Sequence, residues 1–571
     1  MTPSDAQLTD ALRLLRMRGF EPAGNRAGTR SFEGDLTCRG GNVSVRLSIT
    51  DWDFLRYPSI IVLDGTDGFP PLVPHLTAEG WLCYFAAGSV VLDRYNPAEA
   101  LAQCLDQAKL VLEQIRFDAD YRRGDIQDEF MVHWLNGQST AIWDVLIGTV
   151  ALGATCTNYW LVDINGVPTA LIADSEKEVA AFAGALGAAA PEKTTCPCWL
   201  FQTDELPVVP DVMPSTVKEL FAWLKAWDKG ISNGVQRILE KEPRYLEYKQ
   251  ATFAVKTPIG WLGFGFDLDQ VQRLGAIKKP RLYKQHLHGK GGTRGIMRLS
   301  ISEFGPAFVH SRNLTFKDLS GRQIKVVGCG AIGSYVALSL VRLGAGANGG
   351  KLTLIDPDKL KPENIGRHVL GYPALFKSKA TALRDELVRQ FPFSTIDACP
   401  TDVRGVPALF SADLVIDATG EESVSEFLNA RRIAEATKTP LLHAWIKGNG
   451  QTVQTLWVQG SKGGCFRCLR LADHKNYREE RFKVLKEDPV RRLIGCTGFT
   501  PYGVAAPMHA ATLATETILD WLQRDSPSPR FRTRSVASAD VFEVKNQDLT
   551  RLAACPACGT NDVAIPAVRQ H

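Results

Sequence analysis

Two groups of residues in this chain have the types and spacing to do chemistry. The first is Gly328-Cys329-Gly330-Ala331-Ile332-Gly333, which follows the short apolar run Ile324 to Val327 and leads into an apolar stretch from Ser334 to Leu343. A buried strand, a glycine turn and a helix start form a phosphate-binding arrangement. The glycines admit backbone conformations closed to other residues, and the helix N-terminus offers unpaired N–H groups and a positive dipole end. A second strand, Lys351 to Ile355, ends at Asp356, where a dinucleotide-binding fold places the acid that grips a ribose hydroxyl. A dehydrogenase would carry all of this as well. The second group is Cys465-Phe466-Arg467-Cys468 with Cys555-Pro556-Ala557-Cys558. Two such hairpins supply four thiolates, the donor set of a structural zinc site, and a closed four-sulfur site has no open position for catalysis.

Beyond Asp356 the order is no longer that of a dehydrogenase. Asp356-Pro357-Asp358 is followed by Asn364-Ile365-Gly366-Arg367-His368 and then by Lys377-Ser378-Lys379-Ala380. This order resembles the ATP site of the ThiF, MoeB and ubiquitin-activating superfamily, whose members adenylate the C-terminal carboxylate of a small protein. The resemblance implies a site for ATP made by Gly328, Gly330, Gly333, Asp356, Asp358, Asn364, Arg367 and Lys379. Bringing a carboxylate up to the α-phosphate sets two anions together, so Arg367 and Lys379 would neutralise the triphosphate while Asp356 holds the ribose.

The same resemblance extends along the C-terminal part. Leu414 to Gly420 resembles the strand whose acid helps hold magnesium, but the family's Asp-x-Thr-Asp is here Asp417-Ala418-Thr419-Gly420, so the metal falls to Asp417, Glu421 or Glu422. The paired cysteines resemble the zinc clip of bacterial ThiF-like enzymes. Between them, Arg492-Leu493-Ile494-Gly495-Cys496-Thr497-Gly498 precedes Pro507 and a helix from about Met508 to Leu522. It resembles the loop on which those enzymes carry a thioester-forming cysteine, which implies Cys496 as acceptor of the activated carboxylate, with Arg491 and Arg492 lowering its thiol pKa. Such domains resemble one another in forming homodimers in which an arginine before the first strand reaches the neighbour's ATP. Arg312 is the matching residue here.

Residues 1–120 resemble a ubiquitin-conjugating domain. An amphipathic helix from Ser4 to Arg18 precedes strand signals at Val43 to Ile49 and Ile60 to Leu63. Then come a proline-rich stretch, His75, Gly80-Trp81-Leu82-Cys83, and a helix from Pro97 to Phe117 whose apolar face includes Cys104, read as core packing. Cys83 matches the thioester cysteine of that family, and Tyr95-Asn96-Pro97 stands where the family has Trp-x-Pro. The family's His-Pro-Asn before the cysteine is reduced to His75, which bears on amine transfer more than on thioester formation.

These motifs must be positioned by more than one core. At 571 residues the chain is long enough for about three or four domains, and the expected fold class is α/β multidomain. An α+β conjugating-like domain (1–124) is followed by a mixed α/β middle domain (125–310) of unreadable role and a Rossmann-like adenylation domain with a structural zinc site (311–571). Cys196-Pro197-Cys198 in the middle part lacks partner ligands, and His286 to Gly295 reads as a mobile connection. A net charge of +4 with no basic block gives no reason to expect nucleic acid. No apolar run suggests a membrane span or secretion signal. Thirteen cysteines without such a signal read as cytoplasmic thiols and metal ligands.

The order of conjugating then activating domain resembles the fusion proteins of bacterial antiphage islands, particularly CBASS operons. That resemblance implies ATP, magnesium and zinc, and a protein substrate with a free C-terminus: a cGAS-like nucleotidyltransferase or a ubiquitin-like protein. The expected reaction is adenylation, thioester formation on Cys496, exchange to Cys83 and transfer to a lysine amine. A sulfur-carrier activator of the ThiF or MoeB kind, with an inert N-terminal docking domain, is the alternative, and a non-catalytic nucleotide sensor is a third reading.

Overall fold

The computed structural model describes residues 4–26, 28–64, 68–135, 144–151, 156–189, 196–460, 463–471, 479–494 and 497–559. Its first helix, Asp5–Met17, starts at Ser4, whose hydroxyl accepts from the Gln7 amide while the Gln7 side chain takes the Ser4 N–H. This reciprocal cap satisfies two of the donors that every helix start leaves open. The helix is followed by a five-stranded antiparallel sheet of Glu21–Arg26, Thr29–Cys38, Gly41–Ile49, Ser59–Val62 and Trp81–Leu82, in that order. Alternation of buried and exposed positions along Gly41–Ile49 puts Val43, Val45, Leu47 and Ile49 on the inner face. Against it lies Pro97–Phe117, capped by Asn96, with Leu101, Leu105 and Cys104 fully buried.

The middle part is a closed barrel of seven strands, which sequence periodicity does not reveal. Gln250–Thr257 and Gly260–Asp267 pair antiparallel, and the ring continues through Met297–Glu303, Asp144–Ile147, Val167–Ala173, Thr157–Ile164 and Cys196–Gln202 back to Gln250–Thr257. Closure removes both sheet edges, and helices Val217–Trp227 and Lys229–Lys241 cover an aromatic core that includes Trp199, Phe253, Phe264 and Phe266. Cys198 is an inward residue of one of these strands, with a thiol pushed well up by burial. Trp134, from the short helix Phe130–Leu135, is fully buried, and its indole N–H donates to the Gly263 carbonyl at 3.0 Å. The barrel packs on both neighbours: Leu72 joins its core, and Phe304 lies 6.2 Å from Phe393.

The expected mobile connection at 286–295 is instead ordered packing. Helix Pro280–His288 runs into a 3-10 turn, Lys290–Thr293, in which Gly291 and Gly292 are buried. A Cβ on Gly292 would come to 2.9 Å from the Leu287 carbonyl oxygen, so glycine here serves close backbone approach. Flexibility was the wrong inference from composition.

The last part is a seven-stranded sheet in the order Ile396–Cys399, Lys351–Ile355, Gln323–Val327, Leu414–Asp417, Leu441–Lys447, Thr452–Val458, Phe531–Ser535. The first five are parallel; Thr452–Val458 runs against them, and Phe531–Ser535 pairs antiparallel with it. From Gln323–Val327 the chain runs outward in one direction through Ala331–Arg342 and Lys379–Gln390, then returns to start Leu414–Asp417 on the other side. The gap above the carboxyl ends of these two strands is a topological switch point, where ligands of open α/β sheets bind. The closing helix, Ala505–Arg524, packs with Ala331–Arg342 in the principal core.

At the switch point the three glycines differ in what they are needed for. Gly328 sits at φ +88°, and a Cβ there would lie 2.9 Å from Thr419. One on Gly333 would lie 1.8 Å from the Gly328 carbonyl oxygen, whereas one on Gly330 meets no atom within 4 Å. Gly333→Ala should therefore lose about 3 kcal/mol or more of stability through overpacking, and Gly330→Ala should stay within about 1 kcal/mol of the parent. Thermal melts of the two variants check this, and equal melting points would contradict the assignment of roles.

Candidate functional site

The glycine turn is clamped by two buried side chains. The carboxylate of Asp356, at the end of Lys351–Ile355, accepts the Cys329 N–H at 2.7 Å on one oxygen and the Asp358 N–H at 2.8 Å on the other. Burial pushes the Asp356 carboxyl above its usual range, against the two amides and the Lys379 charge, which act to lower it. From the other side, His368 Nε2 donates to the Cys329 carbonyl at 2.7 Å while its Nδ1 accepts the Leu370 N–H at 3.0 Å. The ring is thus fixed as one neutral tautomer, and burial holds its pKa down. Both polar groups of the Cys329 peptide are used, and the turn has no freedom to relax.

Around this turn lies a cleft of about 330 Å³ lined by Gly328, Gly330, Asp356, Asp358, Asn364, Arg367, Lys379, Thr419, Glu421 and Tyr502 among others. Asn364 caps its own turn by accepting the Lys361 N–H at 3.0 Å. The Lys379 ammonium, 11% exposed, lies 2.9 Å from Asp358, which is 67% exposed. Arg367 stacks on the Tyr502 ring at 4.6 Å, just before the closing helix. The lining carries four acids, Asp356, Asp358, Asp402 and Glu421, against two cations, Arg367 and Lys379. Asp402 is held at about 2 by Arg404.

Seven of the eight residues singled out for nucleotide from the sequence line this cleft; Gly333 lies beneath the turn in contact with Gly328. Asp417 does not line it. It is 1% exposed and its carboxylate is used internally, by Ser425 Oγ at 2.5 Å, His443 Nδ1 at 2.8 Å and Thr419 Oγ1 at 2.7 Å. Its pKa is lowered although burial acts to raise it, because His443 and then the hydroxyls outweigh burial. Glu422 pairs with Arg470 at 2.6 Å; of the three acids considered for magnesium, Glu421 is the one that faces the cleft. Arg312 ends the helix Pro306–Ser311, is exposed, lies over Phe308 and is not among the residues lining the cleft. Tyr502 was not found from the sequence, since no spacing ties it to the glycine turn; Thr419 and Glu421 reach the cleft from the strand end considered for magnesium.

The four cysteines of the two hairpins meet. Cys465 Sγ lies 4.0 Å from Cys468 Sγ and 3.8 Å from Cys555 Sγ, and Cys468 Sγ lies 3.5 Å from Cys558 Sγ. These separations are far longer than a disulfide bond of about 2.05 Å. They match the edge of a tetrahedron with metal–sulfur bonds of about 2.3 Å, which is about 3.8 Å. Three of the four are buried, and the Leu552 amide donates to Cys468 Sγ at 3.5 Å.

Cys83 is exposed, and among the described cysteines it is the only exposed one. A turn of Thr77 to Gly80 folds the chain back so that the Cys83 N–H donates to the His75 carbonyl at 2.8 Å. Gly80 is required there: at φ +84°, a Cβ would lie 2.5 Å from the Val62 carbonyl oxygen. The next residue, Tyr84, anchors the segment by donating its buried hydroxyl to the Pro58 carbonyl at 2.5 Å. The Cys83 thiol is pushed up, first by partial burial and then by Glu129 and Asp125. Cys104, by contrast, is fully buried, and burial raises its thiol to about 11. Cys496 lies outside the described residues; the strands that flank it, Arg492–Ile494 and Thr497–Phe499, pair antiparallel.

Comparison with known proteins identifies both ends of the chain. Residues 301–556 match the ThiF family and residues 16–141 match Prokaryotic E2 family B. An ATP-dependent ubiquitin transferase-like protein, Cap2 of Pseudomonas aeruginosa, is 33% identical over 98% of this chain and 100% of its own length. Cap2 of Escherichia coli, of the same description, is 24% identical over 92% of each chain. Among solved structures, E. coli MccB with ATP aligns with 42% of this chain and 68% of that one, at 19% identity and a TM-score of 0.32. Since one relative matches end to end and both terminal parts match their own families, the chain belongs to the ATP-dependent ubiquitin transferase-like family, as an enzyme with activating and conjugating parts in a single polypeptide.

Proposed function

We propose that this enzyme activates the C-terminal carboxylate of a protein and passes it through two thiols to a lysine amine. The observation that carries this reading is the cleft at the switch point, which gathers the clamped glycine turn, Asp356, Arg367 and Lys379 in the same chain as an exposed cysteine on an E2-like domain. A carboxylate oxygen of the substrate attacks the α-phosphorus of ATP, pyrophosphate leaves, and the acyl adenylate forms. Arg367 and Lys379 hold the triphosphate and offset the charge of the incoming anion. The carboxylate of Asp356, already bonded to two amides, keeps acceptor capacity for the ribose. Cys496 then attacks the acyl carbon and AMP leaves. Exchange moves the acyl group to Cys83, and an amine takes it from there. Only the first step needs ATP, since thioester exchange is nearly isoenergetic. Exposure of Cys83 supports this over a sulfur-carrier activator with an inert N-terminal domain.

Magnesium fits the cleft on grounds of charge. Four carboxylates face two cations, so a bare triphosphate would meet a net negative wall; Asp358 and Glu421 would hold a divalent ion, which would supply the charge that offsets the phosphates. The four sulfurs fit zinc, which would tie the segment after Thr452–Val458 to the C-terminal hairpin and leave no position for a reactant. In the proposed homodimer, the exposed Arg312 of one copy reaches the cleft of the other. The substrates that suit the family resemblance are the C-terminus of a cGAS-like nucleotidyltransferase or of a ubiquitin-like protein, in antiphage defence and in the reducing cytoplasm.

Pyrophosphate exchange with candidate partner proteins from the same operon tests the adenylation step. Lys379→Ala should lower it by about 100-fold or more while the protein stays folded, because the residue it leaves unpaired, Asp358, is exposed. Arg312→Ala should be comparably inactive alone, and mixing the two variants should restore exchange. Activity retained in Lys379→Ala would end the assignment of this cleft, and failure of the mixture to recover would end that of Arg312. For the cysteine cluster, metal analysis of the purified enzyme should find about one zinc per chain, lost in Cys465→Ser together with thermal stability. A stable, metal-free wild type is the contrary result.

A further inference from the structure

The backbone of His75 is hydrogen-bonded to that of Cys83, and its ring is held by groups from a helix that the conjugating motif does not include. Its Nε2 lies 3.1 Å from the Tyr121 hydroxyl and 3.0 Å from Asp125 Oδ2. Both partners come from the helix Ala119–Asp128, and Glu129 follows directly. Asp125 Oδ2 is buried with no hydrogen bond of good geometry from any described residue, and beside it lie the His75 ring nitrogen at 3.0 Å and a Glu129 carboxylate oxygen within 4.8 Å of both. No described residue takes His75 Nδ1, and the side chain is 20% exposed. The imidazole sits at the hairpin because its backbone adopts φ +61° and its carbonyl accepts the Cys83 N–H. His133, from the following helix, is buried with neither ring nitrogen bonded to a described residue, and burial acts to keep it neutral. The Asp125 and Glu129 carboxylates act on the Cys83 thiol and push it up. That is unhelpful for a nucleophile but suits a site that receives a cationic lysine.

We propose that His75, backed by Asp125 and Tyr121, is the proton acceptor for the lysine amine that discharges Cys83, taking over the amine-transfer step that the family's missing asparagine would otherwise assist. This rests on the reading of Cys83 as a thioester carrier. The lysine is drawn in by Asp125 and Glu129 and loses one proton to water. Its nitrogen attacks the thioester carbon, the C–N bond forms, and the second proton passes to His75 Nδ1. The C–S bond breaks with its electron pair on the Cys83 sulfur. The imidazolium, whose charge Asp125 balances, then returns the proton to that sulfur, a poor leaving group for the reason given above.

The test bypasses ATP, so that it does not depend on the adenylation cleft. The full-length enzyme is treated with a synthetic peptide bearing a C-terminal glycyl thioester of mercaptoethanesulfonate, and the acyl adduct absent from Cys83→Ala is followed by intact mass. Free lysine or hydroxylamine is then added. Hydroxylamine is largely unprotonated at neutral pH and needs little help from a base. His75→Asn is the first variant, because asparagine tolerates a left-handed backbone, and Asp125→Asn is the second. His75→Asn should load as wild type and Asp125→Asn at least as fast, since it removes a charge that pushes the Cys83 thiol up, and both should discharge to lysine about 100-fold more slowly, with discharge to hydroxylamine little changed. Wild-type discharge to lysine in His75→Asn overturns the proposal, as does equal loss with both nucleophiles, which would mark a structural role. Lysine discharge abolished by EDTA and restored by zinc would also overturn it, making His75, Asp125 and Glu129 metal ligands instead. A wild-type Cys83 that takes no acyl group removes the reading of Cys83 itself.

Discussion

The amide and the carbonyl of Cys329 are each held by one buried side chain, Asp356 on one side and His368 on the other. The geometry of the cleft depends on that clamp. A glycine turn is entropically costly to order, and a phosphate site works only if its N–H groups are already aimed. Here the second strand and the crossover after it fix the turn after the first strand, so two parallel neighbours and their connection define one geometry. Because Asp356 spends an acceptor on each amide, its two roles, holding the turn and facing the cleft, cannot be separated by mutation. Lys379 is different: it pairs with an exposed partner and is free to exchange that partner for a phosphate.

The two reactive ends are built on unlike principles. The cleft lies at a switch point of a buried parallel sheet, while Cys83 rides on a short surface hairpin whose rigidity comes from Gly80 and the Tyr84 anchor. Between them stands the barrel, packed on both neighbours through Leu72 and through the Phe304–Phe393 contact. Closure leaves the barrel no free sheet edge, and an aromatic core packs it against helices Val217–Trp227 and Lys229–Lys241. Under the proposed relay, carrying both thiols in one chain would raise the local concentration of the second.

What could be read in the sequence is what short-range spacing encodes. The glycine turn, Asp356, the Asn364–Arg367 turn and the paired cysteines are each tied by backbone geometry to a neighbour a few residues away, and the structure brings them together. Tyr502 comes to the cleft from a distant segment, and no local pattern marks it. The acids proposed for magnesium could not be ranked until hydrogen bonding showed Asp417 occupied by His443 and Ser425. The barrel was illegible because its strands, such as Ala251 to Val255, are buried on consecutive positions and lose the alternation that identifies a half-buried strand. At 286–295 composition misled, since glycine marks close packing as readily as looseness. The partners of His75 lie 46 and 50 positions away, beyond any motif.

The account as a whole depends on the order in which the two thiols are used. Under the proposed relay, Cys496 belongs to the same ThiF-matching part as the cleft whereas Cys83 belongs to the E2-like part, so proximity would make Cys496 react first. Intact-mass analysis after incubation with ATP and candidate substrates from the same operon tests this directly. Cys83→Ala should accumulate a reductant-sensitive adduct on Cys496, and Cys496→Ala should leave Cys83 empty. An adduct on Cys83 in the absence of Cys496 would mean direct transfer from the adenylate and would contradict the two-thiol relay.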